Sequence, residues 1–180
     1  MKISAIFESW HISDGNCPPL KKGELVNLSF ELVPERVTRV AANEPETMIQ
    51  MDGAEYQFCA KVLKIYDKLT VVEAEGLRFH ICYFPEKLKH LEAGDKIWGI
   101  GILSLDCYLW VEFLHQYVDA PDLFYKLRTT AIYELSEQKQ VESMAHSEAF
   151  DWLVNFDSEG VSAEPIPKTF RSHRAKNRRI

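Results

Sequence analysis

The side chains able to move a proton, attack a carbonyl or hold a metal are six histidines, four cysteines and 27 carboxylates in a chain of 180 residues. His11, His80, His90, His115, His146 and His173 include no His-x-x-x-His and no His-Glu-x-x-His, the spacings that set two imidazoles on one helix face. Cys17, Cys59, Cys82 and Cys107 include no Cys-x-x-Cys pair, so neither a metal ligand nor a cofactor is assigned. Scattered single cysteines imply four free thiols and a reducing, cytoplasmic setting. Cys59, Cys82 and Cys107 fall in predicted strands, where a free thiol serves as a small apolar group. His11, Asp14 and Cys17 lie within seven residues and supply the parts of a thiol nucleophile, its base and an orienter. Asp14-Gly15 reads as a turn, however, and Cys17 precedes two prolines. Cys-His enzymes gather these partners from distant segments, so no catalytic residue is assigned. Gly-x-Ser-x-Gly and phosphate-cradling glycine loops are missing, and Gly99-Ile100-Gly101 is followed by Ile102-Leu103 rather than a helix start. The reading leans away from an enzyme.

The elements that would position any site are mostly strands. Lys2–Trp10 reads as one. Val26, Leu28, Phe30 and Leu32 alternate with polar residues across Glu24–Val33, the period of a half-buried strand, which Pro34 is expected to end. Residues 34–46 read as loop, and Thr47–Met51 as a short strand before the Asp52-Gly53 turn. Tyr56–Tyr66, Leu69–Ala74 and Leu77–Phe84 follow as strands, then a short helix over Glu86–Leu91 opened by Pro85. Lys96–Leu103 and Cys107–Leu114 complete the series. Within the third of these, Leu77, Phe79, Ile81 and Tyr83 point one way while Arg78, His80 and Cys82 point the other.

The order strand, strand, strand, short helix, strand, strand over residues 55–115 resembles an OB-fold, a small Greek-key β-barrel. Leu91-Glu92-Ala93-Gly94-Asp95-Lys96-Ile97 carries the likeness, a turn of the kind that opens the fourth strand of such barrels. Gly99 and Gly101 on one face of that strand imply a sharp bend or a close backbone approach. The resemblance implies a mainly β protein with extra N-terminal strands and a mixed α/β C-terminal segment. Asp119-Ala120-Pro121-Asp122 reads there as a helix start, with Leu123, Phe124 and Leu127 on one stripe. Thr129–Leu135 reads as a strand, and residues 136–154 fit a helical spacing, although Phe150, Trp152, Val154 and Phe156 also alternate as in a strand. The expected organisation is one domain over 1–157 and a basic, disordered tail over 158–180.

The net charge of −6 hides a division. Lys168, Arg171, Arg174, Lys176, Arg178 and Arg179 have no acidic neighbour beyond residue 164, whereas the first 164 residues hold 15 basic and 27 acidic side chains, a net of −12. An acidic body repels phosphate backbones, and a basic tail attracts anions. No run of apolar residues is long enough for a membrane span, and no secretory leader is expected at the N-terminus. Arg78, His80, Tyr108 and Trp110 form the candidate binding surface, outward on the third and fifth strands, while Trp10 and Trp98 read as core. Together these features favour a non-catalytic protein that recognises another protein, as an adaptor or as an inhibitor of the immunity type that neutralises a basic toxin. Binding of single-stranded nucleic acid, aided by the tail, is the second reading, and an enzyme with an unrecognised site the third.

Overall fold

The computed structural model describes residues 1–15, 17–82, 88, 90–107, 116–117, 119–144 and 151–162. Strands dominate: β1 (Lys2–Phe7), β2 (Leu25–Val40), β3 (Thr47–Asp52), β4 (Glu55–Ile65), β5 (Thr70–Ala74), β6 (Leu77–Ile81), β7 (Lys96–Asp106), β8 (Phe124–Glu134), β9 (Lys139–Val141) and β10 (Trp152–Ser162). A four-residue helix, α1 (Trp10–Ser13), follows β1. The β5–β6 hairpin turns through Glu75 and Gly76, both at positive φ, as a two-residue turn that matches strand twist requires.

All ten strands belong to one mixed sheet. Its pairings close on themselves. β4, β5, β6, β2 and β7 form a circuit that returns to β4, antiparallel throughout except for the parallel β6–β2 pair. A second circuit runs β2, β8, β10, β1 and β7, with β1 parallel to β7. The two share the long β2–β7 ladder. A contiguous core fills the ring-like sheet, with Phe7, Phe30, Phe58, Phe79, Trp152 and Phe156 fully enclosed. Phe58 meets Phe79 edge to face, as Phe7 meets Trp152.

Two expectations change, one is met and one open choice is resolved. First, Pro34 does not end β2. It sits at a register shift opposite Gly101, where a bulge removes the need for the N–H that proline lacks, and the strand continues to Val40. Second, the glycines explain how it continues. A Cβ on Gly99 would lie 2.4 Å from the Arg36 carbonyl oxygen, and one on Gly101 would lie 2.6 Å from that of Val33. The expected close backbone approach is therefore between β7 and the bulge of β2. Third, residues 119–128 contain no helix. Tyr125, Leu127, Thr129 and Ala131 are buried while Lys126, Arg128 and Thr130 are exposed, so a period of two prevails. Fourth, Trp152, Val154 and Phe156 alternate inward on β10, the strand option rather than the helical one. Most of the expected strand over Cys107–Leu114 and of the helix over 86–91 lies outside the described residues.

Candidate functional site

Alternation gives β7 two rows of side chains. Ile97, Leu103 and Leu105 face the core, while Trp98, Ile100, Ile102, Ser104 and Asp106 face away from it. The outward row changes character along its length. At one end Ser29 lies opposite Asp106 and Glu31 opposite Ser104. On the other flank of β2, Glu31 is in register with His80 of β6. These polar residues are enclosed: His80 and Ser29 are 0% exposed, Ser104 7% and Asp106 8%. At the other end Val33 pairs with Ile102, and they are 51% and 48% exposed.

The polar end is covered by the segment around α1. His11 is buried and edges against Phe7, with a hydrogen bond to the Leu105 backbone and the Asp106 charge nearby. Cys17 and Cys107 form a disulfide that ties this segment to the residue after Asp106. Burial holds the His11 imidazole below its ordinary pKa, against the pull of Asp106, Glu8 and Asp14. Burial likewise raises the Glu31 carboxyl above the ordinary range. Asp106 and Glu8 push it in the same direction, while His80 and a hydrogen bond with Cys82 oppose.

Within this enclosure, His80 Nε2 lies 3.1 Å from Asp106 Oδ2 and 3.9 Å from Glu31 Oε2. Neither ring nitrogen has hydrogen-bond geometry to any group among the described residues. Cys82 adds its thiol: one ligand atom each from Glu31, His80 and Cys82 lie within 4.8 Å of one another. Thiol, imidazole and carboxylates are the raw material of a nucleophile relay. A relay needs the imidazole hydrogen-bonded to its partners, and His80 is not, so the arrangement suits a ligand cage better. Cys82 also lines a cavity of about 250 Å³, with Tyr66, Lys68, Thr70 and Leu88.

The apolar end spreads across neighbouring strands. Ile100 aligns with Gln57 of β4, which aligns with Ile49 of β3. Ile49 and the bulged Met51 are 48% and 55% exposed. Glu55 stands beside Ile102, paired in turn with Asp52, and the Arg36 guanidinium lies 5.6 Å over the Trp98 ring.

Of the residues proposed from sequence, Arg78 is half-buried. Its Nε donates to Glu73 at 2.7 Å and its backbone N–H to the Tyr125 hydroxyl at 2.6 Å. His80, expected outward on an open wall, is fully enclosed, because its face of β6 meets β2 and the cover over Asp106. Tyr108, Trp110 and the tail residues lie outside the described residues. The disulfide corrects the expectation of four free thiols and removes the argument that placed the chain in a reducing compartment; Cys59 and Cys82 form no disulfide. It also takes Cys17 out of any nucleophile with His11 and Asp14. Trp10, expected in the core, is 44% exposed, and Trp98 is half-buried. Sequence reasoning passed over Glu31, one of the polar residues alternating across Glu24–Val33, and Asp106, which falls between the strands expected at Lys96–Leu103 and Cys107–Leu114. No helix among the described residues is long and apolar enough to cross a membrane. Comparison with family models, with curated proteins and with solved structures finds no match to this chain.

Proposed function

We propose that the protein is a non-catalytic recognition module whose exposed apolar face, centred on Val33, Ile100 and Ile102, binds a basic partner protein. The observation that supports this reading is the pairing of Val33 with Ile102 in the open, on a strand pair whose other end buries polar groups. Single exposed apolar residues need no explanation, whereas a cluster of them on neighbouring strands, here Val33 of β2 beside Ile100 and Ile102 of β7, with Ile49 and Met51 of β3 beyond Gln57 of β4, marks a binding surface. Glu35, Asp52 and Glu55 flank the set, and the body carries −12, so a partner with a basic rim gains both affinity and association rate. The same charge opposes a phosphate backbone. The OB-type architecture belongs to this proposal too. The parallel β6–β2 pair inside an otherwise antiparallel five-strand circuit supports an OB-like ring with one strand supplied from the N-terminal side. The basic tail is, in this reading, dispensable for recognition.

The test captures proteins from a lysate on the immobilised full chain and on Ile102→Glu, then purifies whatever the first alone retains. Titration by calorimetry should show one site, weakened at least tenfold by Ile102→Ala and unaffected by removing residues 165–180, as for a central apolar anchor. Binding that survives Ile102→Glu, or retention of nucleic acid alone, refutes the reading.

A further inference from the structure

We propose that Glu31, His80 and Cys82 form a binding site for one zinc-class divalent cation, with Asp106 beside it. The inference is independent of the recognition reading. Three observations carry it. The first is placement: Glu31 and His80 are in register on adjacent strands, and Cys82 stands one residue past the end of β6, two after His80. Strands fix two of the three ligands more rigidly than loops would. Their ligand atoms already lie within 4.8 Å. A tetrahedral ion at zinc–ligand distances of about 2.0–2.3 Å needs them roughly 3.5 Å apart, a contraction within reach of side-chain rotation.

The second observation is the state of His80. A fully enclosed imidazole with neither ring nitrogen hydrogen-bonded is costly and calls for an explanation. Its Nε2 faces two carboxylates at 3.1 and 3.9 Å, the surroundings of a ligand whose cation sits between them. The third is donor chemistry. Thiolate with imidazole selects zinc and its neighbours over calcium or magnesium, which take oxygen ligands. The cluster is also reachable, since the Glu31 side chain is 27% exposed and Cys82 borders the cavity. Binding converts Cys–SH and M²⁺ into Cys–S–M⁺ and a released proton, so affinity rises with pH.

The experiment strips the full-length protein with a chelator, without reductant, and titrates it with Co²⁺ and then Zn²⁺. One equivalent of cobalt should produce a thiolate-to-cobalt charge-transfer band that zinc abolishes, and zinc should raise the thermal midpoint. Cys82→Ser should lose the band and the midpoint shift while keeping the native circular dichroism. Glu31→Gln should weaken zinc at least tenfold. His80→Gln serves as a third variant, and the half-buried Cys82 decides the matter if that one does not fold. Absence of the band in the wild type, its persistence in Cys82→Ser, or a midpoint indifferent to zinc overturns the proposal.

Discussion

The two ends of the β2–β7 ladder share backbone pairing, neighbouring strands and a common outward face, yet they reverse the usual rule of burial. Ser29, Ser104 and Asp106 are polar and buried, with Glu31 half-buried beside them; Val33, Ile100 and Ile102 are apolar and open or half-open. Covering polar groups costs free energy unless they find partners, and exposing a contiguous apolar set forgoes burial energy. A fold tolerates both at once when the positions answer to something outside its own stability. In the proposed reading, one end is a surface left uncovered for another molecule. The other is a polar chamber covered in part by α1 and the Cys17–Cys107 bridge.

The largest expected effect comes from opening the chamber. The bridge closes a loop with a sequence separation of 90 residues, so the chain-entropy model assigns it about 4–5 kcal/mol. Cys17→Ser with Cys107→Ser should lower the unfolding free energy in urea by up to that amount. It should also speed hydrogen exchange around Asp106 well before the Val33–Ile102 pair. Uniform acceleration at both ends would mean that the bridge does not serve the chamber in particular.

A smaller effect tests what holds the ladder together between its two ends. Gly101→Ala introduces a Cβ at 2.6 Å from the Val33 carbonyl oxygen and 2.9 Å from Pro34 Cα. Backbone must shift to admit it, and overpacking of this kind costs about 1–3 kcal/mol. Because the shift falls beneath Val33, the variant should also weaken partner binding. Wild-type stability in Gly101→Ala would show that the bulge has slack.

Much of this frame was legible in the sequence. Alternation located β4 to β7, and the two glycines announced the close approach. What hid the rest is physical. A proline at a bulge looks like a strand end until the partner strand is known, so the extension of β2 past Pro34 was invisible. Leu123, Phe124 and Leu127 fit a helical stripe as readily as the strand they join. The chamber was harder still: Glu31, His80 and Asp106 come from three strands, and the parallel β6–β2 register that unites the first two is a tertiary fact. Cys17 and Cys107 pair across half the chain, where spacing carries no signal.

The smallest effect concerns acid. His11 has its pKa held below 6.5, so the unfolded chain binds the extra proton first as pH falls. Its contribution is complete above 6.5 and is lost as pH drops toward the lower folded value, moderated by Asp106, Glu8 and Asp14. Denaturant titrations of His11→Gln between neutral and mildly acidic pH should lack this component of the slope. An unchanged slope would place the acid sensitivity elsewhere.

The division of labour along the ladder is tested most directly by making the open end polar and measuring two quantities on one sample. For Ile100→Thr with Ile102→Thr, unfolding in urea should stay within about 0.5 kcal/mol of wild type per site, as for surface positions. Calorimetric binding of the captured basic partner should fall at least a hundredfold. A double variant that loses several kcal/mol of stability, or that binds the partner as the wild type does, would contradict the account.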